Sequence, residues 1–250
     1  MRVLKAIGIM LMVALFLFGL TILAYPYLHG LSIDTELKQE AQSFLGTQLR
    51  ENGPITTPDA SPEETPELFP EEHSVLWLAM REYNDRIWRE KQTGLCDPWA
   101  YEQPSFVLGD YGLNNEVFGV ISIPALELEM PLYLGATQQH MADGAAHLSQ
   151  TSLPIGGKNT NCVIAGHRGY SGAAYFRYVT ELQTGDEVII TNLWETLTYK
   201  VTWTQIIMPN DVKSILIQEG RDMITLLTCH PYASGGKQRF LVFCERDAEI

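Results

Sequence analysis

Basic residues are scarce in this sequence, and no two cysteines lie close together in it. Lys and Arg total 17 against 30 Asp and Glu, so the formal net charge at pH 7 is -13. Binding to nucleic acid phosphates requires a basic surface, so we expect no nucleic acid partner. The four cysteines form no CxxC pair, which excludes a zinc ribbon and a thioredoxin-type motif. Four cysteines in 250 residues are also too few for a disulfide framework, so at least one is a candidate for a free thiol with a chemical role.

Long hydrophobic runs are also absent, with one exception near the N-terminus. Residues 6–24 are uncharged and predominantly apolar. At 1.5 Å per residue, a helix of this length spans about 28 Å, close to the hydrocarbon thickness of a bilayer. A cleaved signal peptide has a shorter apolar core, of about 7–15 residues, and a small-residue cleavage site. The run here ends at Tyr25-Pro26-Tyr27, and tyrosine suits a membrane interface better than a cleavage site.

These features predict that residues 1–28 form an uncleaved signal-anchor, with a cleaved signal peptide as the alternative. Arg2 and Lys5 precede the apolar run and favour a cytoplasmic N-terminus. The expectation is a single-pass protein of the plasma membrane, with the remainder of the chain outside the cytoplasm.

Residues 29–116 are predicted to form a helical region interrupted by a linker. Residues 34–50 are rich in helix formers, and Asp34 is a candidate N-cap. Residues 51–72 contain five prolines and seven acidic residues without a Lys or Arg, which predicts an extended, solvated linker. A second helix is predicted over residues 72–92, where apolar residues recur at steps of three and four.

Residues 117–250 have the pattern of a mainly β domain. Short segments rich in β-branched and aromatic residues are separated by turn residues. They predict seven or eight strands with one short helix near Ala174–Val179, and therefore a closed β-barrel or a sandwich. No long helices alternate with the strands, which disfavours a doubly wound parallel sheet. The predicted strands are Val117–Ile123, Leu128–Leu134, Asn161–Ala165, Glu187–Thr191, Thr196–Met208, Met223–Thr228 and Arg239–Glu245.

Three chemically capable residues stand at ends of these predicted strands. His167 and Cys229 each follow an apolar strand, and Arg239 begins the last strand. A thiolate can act as a nucleophile, and a neighbouring imidazolium can lower the thiol pKa and later protonate a leaving amine. A guanidinium can stabilise the oxyanion of a tetrahedral intermediate. Taken individually, a strand cysteine and a strand-end histidine are more often structural, so composition alone leaves both interpretations open.

Local motifs favour the catalytic interpretation. Residues 225–229 (TLLTC) match the TLxTC signature of sortases, and Arg239 opens the following strand, as the sortase arginine does. Residues 165–169 (AGHRG) resemble the segment that holds the sortase histidine, and all three motifs occur in the family's order. The resemblance extends over residues 117–246. It implies a closed sortase-type β-barrel with His167, Cys229 and Arg239 as catalytic residues.

A further motif resembles class C, the sortases that polymerise pilins. Asp97-Pro98-Trp99 (DPW) lies about twenty residues before the first predicted strand and resembles the class C lid. The resemblance implies that Asp97 pairs with Arg239 and that Trp99 covers Cys229. An ordinary Asp-Pro turn is the alternative. The chain departs from many class C members because it has no second apolar span and because Tyr170-Ser171-Gly172 follows the His segment.

The resemblance implies a membrane-anchored cysteine transpeptidase on a cell surface of the Gram-positive type. It would cleave an LPxTG-like sorting signal of a surface or pilin protein, form a thioester on Cys229 and transfer it to a pilin lysine. Attachment to a cell-wall peptide amine is the first alternative, and a non-catalytic β-barrel that binds surface proteins is the second. We expect no cofactor and no metal site, because no histidine has companions at metal-ligand spacing. Lys237 is a rival cation to Arg239, although its amine cannot form a bidentate fork.

Overall fold

Two helices precede a β-barrel in the computed structural model, which describes residues 2–52, 74–93, 95 and 106–246. Helix α1 spans Arg2–Asn52 and helix α2 spans Ser74–Arg89. Most of the predicted linker, the predicted lid residues Asp97 and Trp99, and Cys96 lie outside the described residues.

Among the described residues, eight strands form a closed barrel, as the sequence pattern predicts. The barrel strands are β1 (Val117–Ile123), β2 (Leu128–Leu134), β3 (Ala145–His147), β4 (Thr160–Ala165), β7 (Glu187–Asn192), β8 (Thr196–Ile207), β9 (Asp222–His230) and β10 (Gln238–Glu245). Their order around the barrel is β1-β2-β3-β4-β9-β10-β8-β7. The β2–β3 and β4–β9 pairs are parallel, and the other pairs in the barrel are antiparallel.

A hairpin outside the barrel replaces the first part of the predicted short helix. Strands β5 (Arg168–Tyr170) and β6 (Ala173–Tyr175) pair in antiparallel fashion, so the prediction of a helix near Ala174–Val179 is wrong for its first residues. Ser171 and Gly172 connect the strands with φ values of 48° and 91°. Positive φ at both positions is typical of a two-residue type I′ turn, which the helix prediction overlooked. A short 3₁₀ helix follows at Val179–Glu181, and helix α3 (Gln138–Asp143) precedes β3.

The barrel interior is filled by alternating apolar side chains from the strands. Cys162 on β4 and Cys244 on β10 belong to this core, and both are buried free thiols. Burial of the larger apolar side chains contributes about 1.5–3 kcal/mol each. The packed core therefore fixes the positions of the ends of β4 and β9, where His167 and Cys229 lie.

Helix α1 is continuous where the sequence suggested two separate segments. Pro26 lies within it, and its first half is exposed, long enough and apolar enough to cross a membrane. Its second half packs on the barrel through Leu37, Ala41 and Phe44. Asp34 is therefore not an N-cap: its Oδ1 accepts a hydrogen bond from the Ala174 amide at 3.0 Å.

Helix α2 covers the outside of the barrel with one apolar face. Leu76, Met80, Tyr83 and Ile87 are buried there, whereas Val75 is exposed. The Tyr83 hydroxyl accepts a hydrogen bond from the Gln150 amide at 3.0 Å. The predicted helix is confirmed with slightly shorter bounds.

Candidate active site

Strands β4 and β9 bring the predicted histidine and cysteine to one end of the barrel. The two strands run parallel, with Ala165 paired to Leu227. Beyond that pair, the Gly166 amide donates to the Leu227 carbonyl at 3.1 Å. The Thr228 hydroxyl donates to the Gly166 carbonyl at 2.8 Å. The segments that end in His167 and Cys229 are thus joined by hydrogen bonds immediately before the two residues.

Strand β10 places the predicted arginine beside the thiol. Arg239 pairs with Cys229 across the antiparallel strands, and its Nη1 lies 3.8 Å from the Cys229 sulfur. Nη1 also donates to the carbonyls of Gly236 at 2.7 Å and Gln238 at 3.1 Å. The Arg239 residue is only 5% exposed. A guanidinium with little water around it interacts more strongly with charge that develops nearby.

The loop between β9 and β10 approaches the thiol at Gly236. A Cβ there would lie 3.2 Å from the Cys229 sulfur and 3.0 Å from Arg239 Nη1, and Gly236 has a φ of 75°. Both the positive φ and the close approach favour glycine at this position. Lys237, the rival cation, is exposed on the same loop.

His167 lies against two tyrosine rings from the β5–β6 hairpin. The Tyr170 ring stacks on it with centroids 4.5 Å apart and an interplanar angle of 13°. The Tyr175 ring meets it edge-on at 6.1 Å and 89°. Burial lowers the pKa of the His167 imidazole from its ordinary value, because desolvation disfavours the charged ring. The ring is therefore biased toward its neutral form.

Tyr170 and Tyr175 were not predicted as site residues, and both contact His167 only because residues 168–175 form a hairpin. The Ser171-Gly172 dipeptide was the available signal, since a two-residue turn places Tyr170 and Ala173 opposite each other. Without that turn, residues 170–175 carry no local indication that they fold back toward His167.

Arg168 forms a second polar contact next to the thiol. Its Nη1 donates to Nδ1 of His230 at 2.7 Å and lies 3.5 Å from the Cys229 carbonyl oxygen. Its Nη2 lies 3.2 Å from the Thr180 hydroxyl oxygen. Desolvation, followed by the positive charge of Arg168, lowers the pKa of His230. His230 Nδ1 is thus occupied by its contact with Arg168.

The cysteines differ in their access to solvent. Cys229 is partly exposed, whereas Cys162 and Cys244 are buried. Desolvation raises the pKa of both buried thiols well above the ordinary value, with a further contribution from Asp222 at Cys162. Low-pKa, accessible thiols are the reactive ones, so these two are expected to be inert.

The arrangement has the components of acyl transfer through a thiol. Cys229 has a partly exposed thiol, and the buried guanidinium of Arg239 lies next to it. His167 supplies an imidazole at the adjoining strand end. The predicted lid residues Asp97 and Trp99 lie outside the described residues, so their roles remain predictions.

Comparison with known proteins agrees with this geometry. The Sortase domain family model matches residues 121–247, about half of the chain. Sortase D of Bacillus subtilis (strain 168) is 26% identical over 135 residues, which cover 53% of this chain and 65% of that protein. The chain thus spans slightly less than two thirds of the length of this curated relative.

Two solved structures are similar over most of their length. Sortase C-1 of Actinomyces oris has a TM-score of 0.64 and 31% identity, covering 72% of this chain and 100% of the other. A pilus-related sortase C of Group B Streptococcus has a TM-score of 0.65 and 31% identity, covering 72% of this chain and 92% of the other.

Proposed function

This chain belongs to the sortase family, and we propose that it is a membrane-anchored cysteine transpeptidase of class C. The observation that carries the proposal is the contact between the partly exposed Cys229 sulfur and the buried Arg239 guanidinium, 3.8 Å apart. A nucleophile next to a desolvated cation suits attack on a carbonyl, because the negative charge that develops on oxygen appears beside the cation. Similarity to two sortase C structures supports the class.

The proposed reaction begins with a proton transfer. The neutral His167 imidazole accepts the Cys229 thiol proton, and the thiolate attacks the carbonyl carbon of the scissile peptide bond. Arg239 stabilises the resulting oxyanion. The carbon–nitrogen bond then breaks, the imidazolium protonates the leaving amine, and a thioester remains on Cys229. A second amine attacks the thioester and loses a proton to His167. The carbon–sulfur bond then breaks as the amide forms, and the imidazolium returns the proton to the Cys229 thiolate.

We propose an LPxTG-like sorting signal as the donor, cleaved between Thr and Gly, and a lysine of a pilin subunit as the acceptor. The support is the pilus-related sortase C among the similar structures, together with the class C resemblance of the DPW segment. Transfer to a cell-wall peptide amine uses the same intermediate and differs only in the second amine.

The membrane topology is also a proposal. The exposed apolar first half of α1 would span the bilayer, with Arg2 and Lys5 on the cytoplasmic side. The barrel would then lie on the outer surface, where sorting signals are accessible.

Product analysis tests the function. The full chain in detergent micelles is incubated with an LPxTG-containing peptide and, in separate reactions, a pilin-derived lysine peptide, a cell-wall-type peptide amine or no amine. Mass spectrometry should find a thioester on Cys229 and an isopeptide product with the lysine peptide. Cys229→Ala and His167→Ala are the controls. Transfer only to the cell-wall amine would overturn the pilin assignment, and hydrolysis without transfer to either amine would overturn transpeptidation.

A further inference from the structure

The hairpin β5–β6 connects helix α1 to the proposed catalytic histidine. On one side, Tyr170 covers a face of the His167 ring at 4.5 Å, and Tyr175 meets the ring edge-on. The Tyr175 hydroxyl in turn donates to the Ala142 carbonyl at the end of α3. The imidazole is therefore packed against two aromatic rings that belong to one hairpin.

On its other side, the hairpin turn contacts α1 closely. A Cβ on Gly172 would lie 2.3 Å from the Pro26 carbonyl oxygen, and a Cβ on Gly30 would lie 2.4 Å from the Gly172 carbonyl. These distances are shorter than ordinary atomic contacts, so the backbones touch only because both residues are glycines. One helical turn further on, Asp34 accepts a hydrogen bond from the Ala174 amide at 3.0 Å.

We propose that Tyr170 is a positioning residue for His167, and that helix α1 holds the hairpin that carries it. The inference rests on the proposed function, because it gives His167 the proton transfer. Stacking restricts rotation of the imidazole and excludes water from one of its faces. The packed glycines and the Asp34 hydrogen bond keep the hairpin at the distance that this stacking requires.

Because Tyr170 covers the His167 ring, a measurement of the His167 pKa tests the proposal. Tyr175 on β6 is a second titratable group in contact with the His167 ring, and Asp34 on α1 and Asp143 at the end of α3 act on Tyr175. Desolvation is the cause that lowers the His167 pKa, so removal of a covering ring should raise that pKa toward its ordinary value. A residue that served only to stabilise the fold would leave the titration of the ring unchanged.

The first test uses Tyr170→Ala, Tyr170→Leu and Tyr170→Phe in the full chain. For Tyr170→Ala we expect kcat to fall by about three- to tenfold, the size expected when one aromatic stacking contact is lost, with a smaller change in KM. Its His167 NMR titration should shift to higher pH. Tyr170→Phe keeps the ring and should match the wild type in both measurements.

Tyr170→Leu keeps apolar volume and serves as the second variant if Tyr170→Ala does not fold. Wild-type kcat and an unchanged His167 titration in a folded Ala or Leu variant would overturn the inference while leaving the proposed function intact. Absence of a thioester in the wild-type chain would instead overturn the function, and the NMR titration would still report whether Tyr170 covers the ring.

The second test concerns the role of α1. Gly30→Ala should push the helix away from Gly172, lower kcat and shift the His167 resonances. Gly46→Ala is the matched control on the same helix, because a Cβ there meets nothing within 4 Å. Alanine has a higher helix propensity than glycine, so neither substitution should weaken the helix itself. A fall in kcat for Gly30→Ala without one for Gly46→Ala therefore reports the contact with Gly172.

Asp34→Ala removes the acceptor for the Ala174 amide without introducing a clash. We expect kcat to fall and the His167 resonances to shift, as for Gly30→Ala. If Gly30→Ala and Asp34→Ala both match Gly46→Ala in kcat and in the His167 resonances while folded, α1 does not hold the hairpin.

Discussion

Arg239 lies directly opposite Cys229 in the antiparallel pairing of β9 and β10, with its Nη1 3.8 Å from the cysteine sulfur. Opposed residues of an antiparallel pair project from the same face of the sheet. The nucleophile and the cation therefore face the same side because of strand register. A shift of one residue in this register would place the two side chains on opposite faces.

The first prediction concerns the identity of the reactive thiol. At neutral pH, a small thiol reagent should modify Cys229 much faster than Cys162 or Cys244, because burial protects the other two. Cys229→Ala should abolish the peptide adduct while the protein remains folded. Peptide mapping by mass spectrometry provides the measurement. A sorting-signal adduct on Cys162, Cys244 or Cys96 would contradict the assignment.

The second prediction concerns the identity of the cation. Arg239→Ala should lower kcat by about 10²–10³, the usual effect of removing one oxyanion donor. Arg239→Lys should also be poor, because a lysine amine lacks the planar fork of donors. Lys237→Ala is the matched control on the adjoining loop and should retain activity. A normal rate for Arg239→Lys together with an inactive Lys237→Ala would mean that Lys237 is the essential cation.

The third prediction concerns the DPW segment, which lies outside the described residues. If Asp97 pairs with Arg239 and Trp99 covers Cys229, closed molecules hide the thiol, and about 0.1–10% of molecules are open when the free-energy gap is a few kcal/mol. Replacing both residues by alanine should accelerate modification of Cys229 by a small thiol reagent and lower the melting temperature. The measurement is the rate of Cys229 modification in the folded wild type and in the folded double variant. Equal rates would leave an ordinary Asp-Pro turn as the interpretation.

The fourth prediction concerns stability at low pH and the buried His147. Its Nε2 lies 3.1 Å from the Thr151 carbonyl oxygen, and desolvation lowers its pKa to about 4. The unfolded chain binds this proton near pH 6.5, at a higher pH than the folded chain does. The contribution of His147 to the free energy of unfolding is therefore complete above about pH 6.5. As the pH drops toward 4, this contribution falls by up to about 3 kcal/mol.

Urea unfolding between pH 7 and pH 4 measures this effect. His147→Gln should flatten the pH dependence of the free energy of unfolding. An equally steep dependence in His147→Gln would assign the effect to other groups.

The barrel and the catalytic candidates could be predicted from the sequence because their signals are local. Runs of β-branched residues between turns indicate seven of the barrel strands, and the motifs around His167, Cys229 and Arg239 are short and contiguous. Strand β3 was missed because three residues are too few to show an alternating pattern. The polar residue Asp34 was interpreted as a helix cap, since a cap and a distant hydrogen-bond acceptor have the same local sequence.

Only the tertiary structure decided how these parts meet. The sequence by itself determined that residues 6–24 are an apolar run and that His167 follows a strand. It could not show that the helix containing this run continues to a backbone contact between Gly30 and Gly172. It also could not show that the β5–β6 hairpin stacks Tyr170 on His167. The contact between Gly30 and Gly172 joins residues more than a hundred positions apart, and the stacking of Tyr170 on His167 requires the chain to fold back at the hairpin turn. They depend on the closure of the barrel and on the fit of two surfaces, which no local pattern encodes.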